Sequence, residues 1–406
     1  MSIFDELAAH AALEFDEGRM LPLEAYRSDA VLAVEREAIF ASAWTCVGRS
    51  ADLPRPGDHL TAEVPSGDPR AARDAHRSII VVRDEDGCLV AHDNVCIHRG
   101  ARLLDGCGNT ARITCPYHAW AFRLDGTLIG APYMAAPGAT SALRPDEHRL
   151  GAVRLEEWEG FVFVTLDPDA PPLSPRLAGL QQVLAPYRLA GYVPVHQQVD
   201  EWRTNWKLLV ENFMDAYHVF KVHKATFGAN GDHTLDTVVH PGTDDWAHHV
   251  VVEADGDDLA NPDNTSLQGD ARKTIVLASV FPTHVMQVQP DWLWYLQISP
   301  LGTDRVRIRW DVSVAPEVLA AQADPDSYVA GLLRLLHAVN AEDQPVIEGV
   351  RRNADGAPFE RGPLSYLERN VFDIDRAIAR AITRVTTRPL NANDRVTTRS
   401  DSRSMW

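Results

Sequence analysis

The chain has 406 residues, 45% of them hydrophobic and 24% charged, with 39 basic against 57 acidic residues and a formal net charge of −18. That length accommodates two domains with sizeable cores. The acidic balance argues against nucleic acid or an anionic membrane as partner, since both reward basic patches.

The N-terminal stretch carries Asp5, Glu6, Glu14, Asp16 and Glu17 and no apolar core region, so it is not expected to be a signal peptide. No segment approaches the roughly 18 consecutive apolar residues of a membrane span. Five cysteines (Cys46, Cys88, Cys96, Cys107, Cys115) are an odd number in a long chain. A disulfide framework is not expected; the expectation is a reducing cytoplasm and some metal-ligating thiolates.

In chain order, residues 1–43 read as helical, with Leu32, Val34, Ile39 and Phe40 as an apolar stripe ending near Trp44. Residues 44–160 change to short β segments such as LTAEV (60–64), SIIVV (78–82) and CLVAH (88–92), with DEDG and LDGT as hairpin turns. Residues 65–77 are polar and read as a surface loop, and the proline-rich 166–187 as a connecting segment. A strand is expected near 194–200, a strongly helical run from Trp206, and a β-rich block over 248–314. Helical patterns return at 326–339, 342–352 and 370–385, and the polar tail from Pro389 reads as loosely ordered. No repeat of 20–50 residues is present. The outline is a small β domain followed by a larger α+β domain.

The first chemical motif is NVCIHRGARLLDGCGNTARITCPYHAW, with Cys96-x-His98 and Cys115-x-x-His118 separated by sixteen residues. A Rieske [2Fe–2S] centre needs two thiolates for one iron and two imidazoles for the other. Two loops that each offer one sulfur and one nitrogen meet that demand. A Cys₂His₂ zinc site uses the same donors but pairs like with like, so the interleaving favours the cluster. Cys46, Cys88 and Cys107 read as small buried residues.

The second is TNWKLLVENFMDAYHVFKVHKATFG. On a regular helix Asn212, Asp215 and His218 share a face, with Glu211 one turn before Asp215. His218 and His223 are five apart, so they converge on one ion only if the helix ends or bulges between them. Two histidines plus a carboxylate make the facial triad of non-haem Fe(II) oxygenases; the bland alternative is a capped amphipathic helix with two unrelated histidines. Asp215 is placed to hold an imidazole by hydrogen bond rather than to bind the metal.

These two motifs resemble those of the Rieske non-haem iron oxygenase catalytic (alpha) subunits, the aromatic-ring-hydroxylating large-subunit family, nearest the choline and carnitine monooxygenase-like branch. The resemblance runs nearly the whole length of the chain. It implies an N-terminal helical segment (1–43) packed on the catalytic domain, an all-β Rieske domain (44–160) and a catalytic domain (161–406) of helix-grip type, an antiparallel sheet with helices.

By the same resemblance His218 and His223 ligate Fe(II), Asn212 sits near the iron, and Asp215 bridges to a cluster histidine, His118, of a neighbouring subunit in a head-to-tail homotrimer. The third ligand comes from a Glu-Asp-x-x-x-x-Glu segment, here Glu342-Asp343 followed by Glu348. Asp343 is assigned, with Glu342 the alternative and Asp373 or Asp375 remoter ones; Pro345, Ile347 and Arg351 depart from the usual segment.

No Gly-x-Gly-x-x-Gly follows a strand, so NAD(P)H electrons are expected from a separate reductase or ferredoxin. The implied reaction uses O₂ to hydroxylate, dihydroxylate or oxidatively demethylate a small organic molecule. An N-methyl or quaternary amine is slightly favoured over an aromatic acid or hydrocarbon, the latter with or without a β subunit. A non-catalytic electron-transfer protein is the remote alternative. Trp292 and Trp294 could contribute to a cage for a quaternary ammonium or be core, while Phe213, Met214, Phe220 and Phe227 could line an aromatic pocket.

Overall fold

The computed structural model describes residues 1–67, 76–140, 143–227, 233–253, 258–356 and 359–387. Most of the expected 65–77 loop and the tail from Pro389 lie outside the described residues.

The N-terminal segment carries α1 (Ile3–Ala11) and α2 (Asp29–Glu35), the latter extended by a wider turn over Arg36–Phe40. Ser2 caps α1 by accepting from Asp5 N–H, and Asp5 returns the bond to Ser2 N–H. Leu7, Tyr26 and Val31 from this segment share one buried core with Ile374 and Ile378 near the C-terminus.

The cluster-loop half is built from β1 (Thr45–Arg49), β2 (Asp58–Pro65), β3 (His76–Arg83), β4 (Leu89–Asp93), β5 (Cys107–Asn109), β6 (Ile113–Thr114), β7 (Ala121–Phe122), β8 (Leu128–Gly130), β9 (Ala152–Trp158) and β10 (Phe161–Thr165). Seven form one antiparallel sheet ordered β1-β10-β9-β4-β3-β2-β5, and β6-β7-β8 form a small second sheet. The alternation of β3 divides two cores. Ile79 and Val81 pack with Leu60, Val162 and Val164, whereas Ile80 and Val82 pack with Cys96, Cys115, Trp120 and Phe122. The floor under both cysteines is therefore apolar and rigid.

Two short helices follow, α3 (Leu173–Arg176) and α4 (Ala178–Leu184), where a plain connection was expected. Leu173, Leu177, Leu180 and Leu184 bury one face of that stretch, a spacing that its prolines mask in the sequence.

The second half has β11 (Val193–Trp202), α5 (Trp206–Met214), α6 (Val219–Val222), β12 (Thr237–Val239), β13 (Trp246–Val252), β14 (Thr274–Val280), β15 (His284–Val288), β16 (Trp292–Pro300), β17 (Val306–Val314), α7 (Pro316–Ala321), α8 (Pro325–Ala354) and α9 (Arg369–Thr386). Its seven strands make one antiparallel sheet ordered β11-β17-β16-β15-β14-β13-β12. Helices α5 and α9 bury their apolar faces in the same core as that sheet. The helical patterns at 326–339 and 342–352 are one 30-residue helix, α8, which runs through Pro345. The proline removes one backbone donor, but Leu336, Val339, Asp343, Ile347 and Arg351 keep one buried face in register across it.

Four side-chain expectations need correction. Cys88 and Cys107 are exposed rather than core, because one sits in the turn before β4 and the other on the three-residue edge strand β5. Met214 is sealed in the core, and Phe220 is 45% exposed, so neither lines a pocket. All five cysteines are free, and no described helix is long and apolar enough to cross a membrane.

Candidate metal centres

The two cluster loops have the same backbone design. Cys96 N–H donates to the Ala101 carbonyl and Cys115 N–H to the Trp120 carbonyl, both at 2.8 Å. Each cysteine carbonyl then accepts from the residue four positions on, Gly100 N–H at 2.9 Å and Ala119 N–H at 3.0 Å. Both closing residues are left-handed (φ 75° and 56°), a conformation easy for Gly100 and strained for Ala119.

This geometry turns the thiols inward and the imidazoles outward. Cys96 and Cys115 are buried, His98 is exposed and His118 partly so. Burial raises the Cys96 thiol above its usual range, and the adjacent Cys115 adds to it, against backbone hydrogen bonding at His98. The His98 and His118 rings lie 4.8 Å apart, with His98 stacked on Trp120 at 4.8 Å. His118 Nδ1 is a buried ring nitrogen without a protein hydrogen-bond partner. Two close thiols and an uncommitted imidazole nitrogen, all on one apolar floor, fit an iron–sulfur group.

The iron-site segment is two helices where one was expected. Asn205 caps α5 by accepting from Lys207 N–H at 3.1 Å. At the other end Asp215 is extended (φ −84°, ψ 110°), and its Oδ1 accepts from Tyr217 N–H at 2.6 Å. The short side chain thus competes with the backbone for that donor and stops the helix. His218 and His223 flank the single-turn α6 that follows. The break falls before both histidines; they converge because they sit at the two ends of that single turn, where His223 (φ −94°, ψ 26°) has left helical geometry. Asn212 remains on the last turn of α5, where its carbonyl accepts from Asp215 N–H at 3.3 Å.

Three ligand-type atoms meet there. His218 Nε2 is 3.2 Å from His223 Nε2, and Asp343 Oδ1 is 3.4 Å and 3.2 Å from them. The corners of that triangle lie about 1.9 Å from its centre. With metal–nitrogen and metal–oxygen bonds of about 2.0–2.2 Å, these three atoms are close enough together to share one ion.

The far side of each imidazole is held by a carboxylate. His218 Nδ1 donates to Asp215 Oδ2 at 3.2 Å, and His223 Nδ1 donates to Glu342 Oε2 at 2.9 Å. Thr226 Oγ1 donates to the same Glu342 oxygen at 2.7 Å. With both protons so committed, two Nε2 lone pairs and one buried carboxylate oxygen face each other, and a cation is required between them.

Without a metal, a proton fills that need. Burial opposes charging of His218, but hydrogen bonds to Asp215 and Asp343 outweigh it and raise it to about 10. Asp343 is held down to about 2, because bonding to both histidines overrides its burial.

Of the expected carboxylates, Asp343 enters the triangle and Glu342 does not; Glu342 orients His223 instead. Asp373 pairs with Arg369 and Arg376, and Asp375 is buried against Glu211, so neither reaches the site. Glu348 accepts from Arg203 N–H and Gln344. Among the described residues no hydrogen bond or ring contact joins His118 to Asp215 of the same chain.

Residues 43–143 match the Rieske [2Fe-2S] domain family, and residues 189–384 match the ring hydroxylating alpha subunit (catalytic domain) family. The chain thus carries a Rieske domain and a ring-hydroxylating alpha-subunit catalytic domain. It is 32% identical over 231 residues to the carnitine monooxygenase oxygenase subunit of Acinetobacter baumannii, covering 55% of this chain and 57% of that one. It is 29% identical over 327 residues to the anthranilate 1,2-dioxygenase large subunit of Burkholderia cepacia, covering 72% and 74%. The chain spans a little over half the length of the curated carnitine monooxygenase relatives it matches.

The fold of this chain is shared with a quaternary ammonium Rieske monooxygenase solved with L-carnitine (TM-score 0.72, 23% identity, 94% of this chain and 97% of the other). It is shared equally with naphthalene 1,2-dioxygenase from Rhodococcus (TM-score 0.75, 21% identity, 94% and 98%).

Sequence reading missed Thr226 and His249. His249 Nδ1 bonds to Asn370 Oδ1 at 3.1 Å, and burial lowers the imidazole to about 4 despite Asn370 and Asp215. No spacing signal marks it, because it reaches the site region from β13 through the sheet. Phe227 packs on His223 at 5.5 Å, and Phe213 meets Trp294 at 5.4 Å. Trp294 also contacts Trp310 at 6.4 Å, so it belongs to an aromatic cluster beside α5, while Trp292 is only half-buried.

Proposed function

We propose that this chain is the terminal oxygenase component of a Rieske system, which uses O₂ and electrons from a separate NAD(P)H-dependent reductase to oxygenate a small organic substrate. The observation that carries the reading is the His218–His223–Asp343 triangle in a chain that also bears the paired Cys/His loops. Cys96, His98, Cys115 and His118 would hold the cluster, and His218, His223 and Asp343 the Fe(II). When bound, the cluster supplies single electrons and the iron supplies the centre where dioxygen is reduced.

The chain's own groups set up that chemistry. Glu342 and Asp215 fix the tautomers of His223 and His218 and aim their Nε2 atoms. Asn212 stands on the last turn of α5 just before Asp215, and Phe227 packs an apolar ring against His223. Asp215 is also the entry point for the electron, which arrives from His118 of a neighbouring copy in a head-to-tail homotrimer. Supporting that assembly, apolar side chains stand exposed around both ends of the relay: Val95, Ile97 and Tyr117 beside the cluster histidines, and Tyr217 and Phe220 beside Asp215.

The favoured substrate is a quaternary or N-methyl amine, on the 32–36% identity to carnitine monooxygenase oxygenase subunits. An aromatic acid is the second reading, favoured by the longer match to the anthranilate dioxygenase large subunit. A panel spanning L-carnitine, glycine betaine, anthranilate and naphthalene, with a reconstituted reductase, tests both. Substrate-stimulated NADH and dioxygen consumption is expected for one class, and none for any member rejects the oxygenase reading.

A further inference from the structure

Behind α5 lies a group of titratable residues that the metal relay does not use. Glu211 stands one turn before Asp215, and Asp375 faces it from α9. Tyr26 Oη donates to Glu211 Oε1 at 3.0 Å. Asp375 and Tyr26 are 0% exposed and Glu211 8%. The nearest cation, Lys207, is committed elsewhere: its Nζ lies 2.5 Å from Glu35 Oε1, and the other Glu35 oxygen takes the Trp206 indole N–H at 2.9 Å. Neither Asp375 oxygen makes a well-formed bond to a protein donor, with the Leu21 backbone at the edge of reach.

Two carboxyl groups in contact inside a core cannot both be ionised, since desolvation and mutual repulsion act in the same direction. They titrate as a unit. Burial, set against its bonds to Asp375 and Tyr26, brings Glu211 to about 7, and burial with the Glu211 charge drives Asp375 well above the carboxylate range. The charged and titratable groups acting on the pair are Tyr26 and Lys207, with Asp215 acting on Glu211. Glu35 bears on it by neutralising Lys207.

We propose that Glu211 and Asp375 share one proton at neutral pH and serve as the proton store for dioxygen reduction at the neighbouring iron site. The inference rests on the oxygenase reading above. Monooxygenation of a substrate S–H follows S–H + O₂ + 2e⁻ + 2H⁺ → S–OH + H₂O. The reductase supplies both electrons, the pair supplies one of the two protons, and solvent supplies the other and later refills the pair. Tyr26 and Asp375 are sealed, so the proton leaves and returns through Glu211, the member with residual exposure and the one that feels the Asp215 charge.

Infrared difference spectra of the metal-loaded protein, titrated over about pH 5–9, test the shared proton without any turnover. A buried protonated-carboxyl band is expected at neutral pH, and E211Q and D375N should each shift or remove it. In single turnovers both variants should keep cluster and iron, form product at least about tenfold more slowly, and release peroxide in its place. Should D375N fail to fold, E211Q suffices, because its amide oxygen still accepts from Tyr26. A wild-type spectrum without the band, or variants with unchanged product rate and pH profile, would overturn the proposal. A wild-type protein that shows the band but oxygenates nothing would instead reject the oxygenase reading and, with it, the assigned role.

Discussion

His223 is held between adjacent residues of α8: Glu342 accepts from its Nδ1 at 2.9 Å, while Asp343 Oδ1 lies 3.2 Å from its Nε2. One acid orients the ring and the next shares its metal-facing side. That division predicts different losses. Glu342→Gln should retain iron with affinity reduced about 10–100-fold, whereas Asp343→Asn should abolish stoichiometric iron. Metal analysis after dialysis against a graded chelator distinguishes them; equal losses would contradict the assignment.

Among the described residues, the Asp215 side chain reaches the metal-ligand set through His218 Nδ1. Asp215→Ala should therefore leave the cluster and most of the iron bound, yet cut substrate-dependent reoxidation of the reduced cluster by at least about a hundredfold. Stopped-flow absorbance of the cluster reports it. Reoxidation at the wild-type rate would remove Asp215 from the relay.

Iron binding should strengthen as pH rises. His218 in the metal-free fold titrates at about 10, above the roughly 6.5 of an unfolded chain. Its proton therefore stabilises the metal-free protein fully below about pH 6.5. That contribution fades as pH climbs through the folded value near 10. Iron must displace this proton, so its apparent affinity should rise between about pH 6 and 9. Metal titrations across that range check the sign, and an affinity that falls with pH would contradict it.

The proposed relay between copies can be tested by complementation. Cys115→Ser should lack the cluster and Asp343→Asn the iron, and each alone should be inactive. Co-assembled, the pair should regain a measurable fraction of turnover, because one chain's cluster serves another's iron. Mixed assemblies that stay inactive while both partners are shown to be present would place electron transfer within one chain. Ile97→Asp, on the exposed rim beside His98, should weaken assembly while keeping the cluster spectrum.

Much of this site was legible because its donors come in local groups. Cys96-x-His98 and Cys115-x-x-His118 each lie within one tight loop, so spacing alone was enough to nominate them. Asp343 was legible only through the family's Glu-Asp segment, since it is more than a hundred residues from the histidines it joins. An end or bulge was expected between His218 and His223; the α5–α6 break falls before His218 and was not foreseen, because it depends on one Asp215–Tyr217 bond that leaves the hydrophobic period unchanged. Pro345 made α8 look like two helices, whereas tertiary burial across it outweighed the lost bond. His249 and Thr226 carry no sequence signal, because sheet topology and one hydroxyl contact bring them to the site.

The central claim is that dioxygen is activated in this chain and an atom of it placed on substrate. Turnover under heavy-isotope dioxygen, with reductase, NADH and the active member of the substrate panel, tests it by product mass. Dioxygen-derived oxygen in the product, or in the aldehyde released by a demethylation before water exchange, is the predicted result. Product oxygen drawn only from water, with dioxygen consumed solely to peroxide, would contradict it.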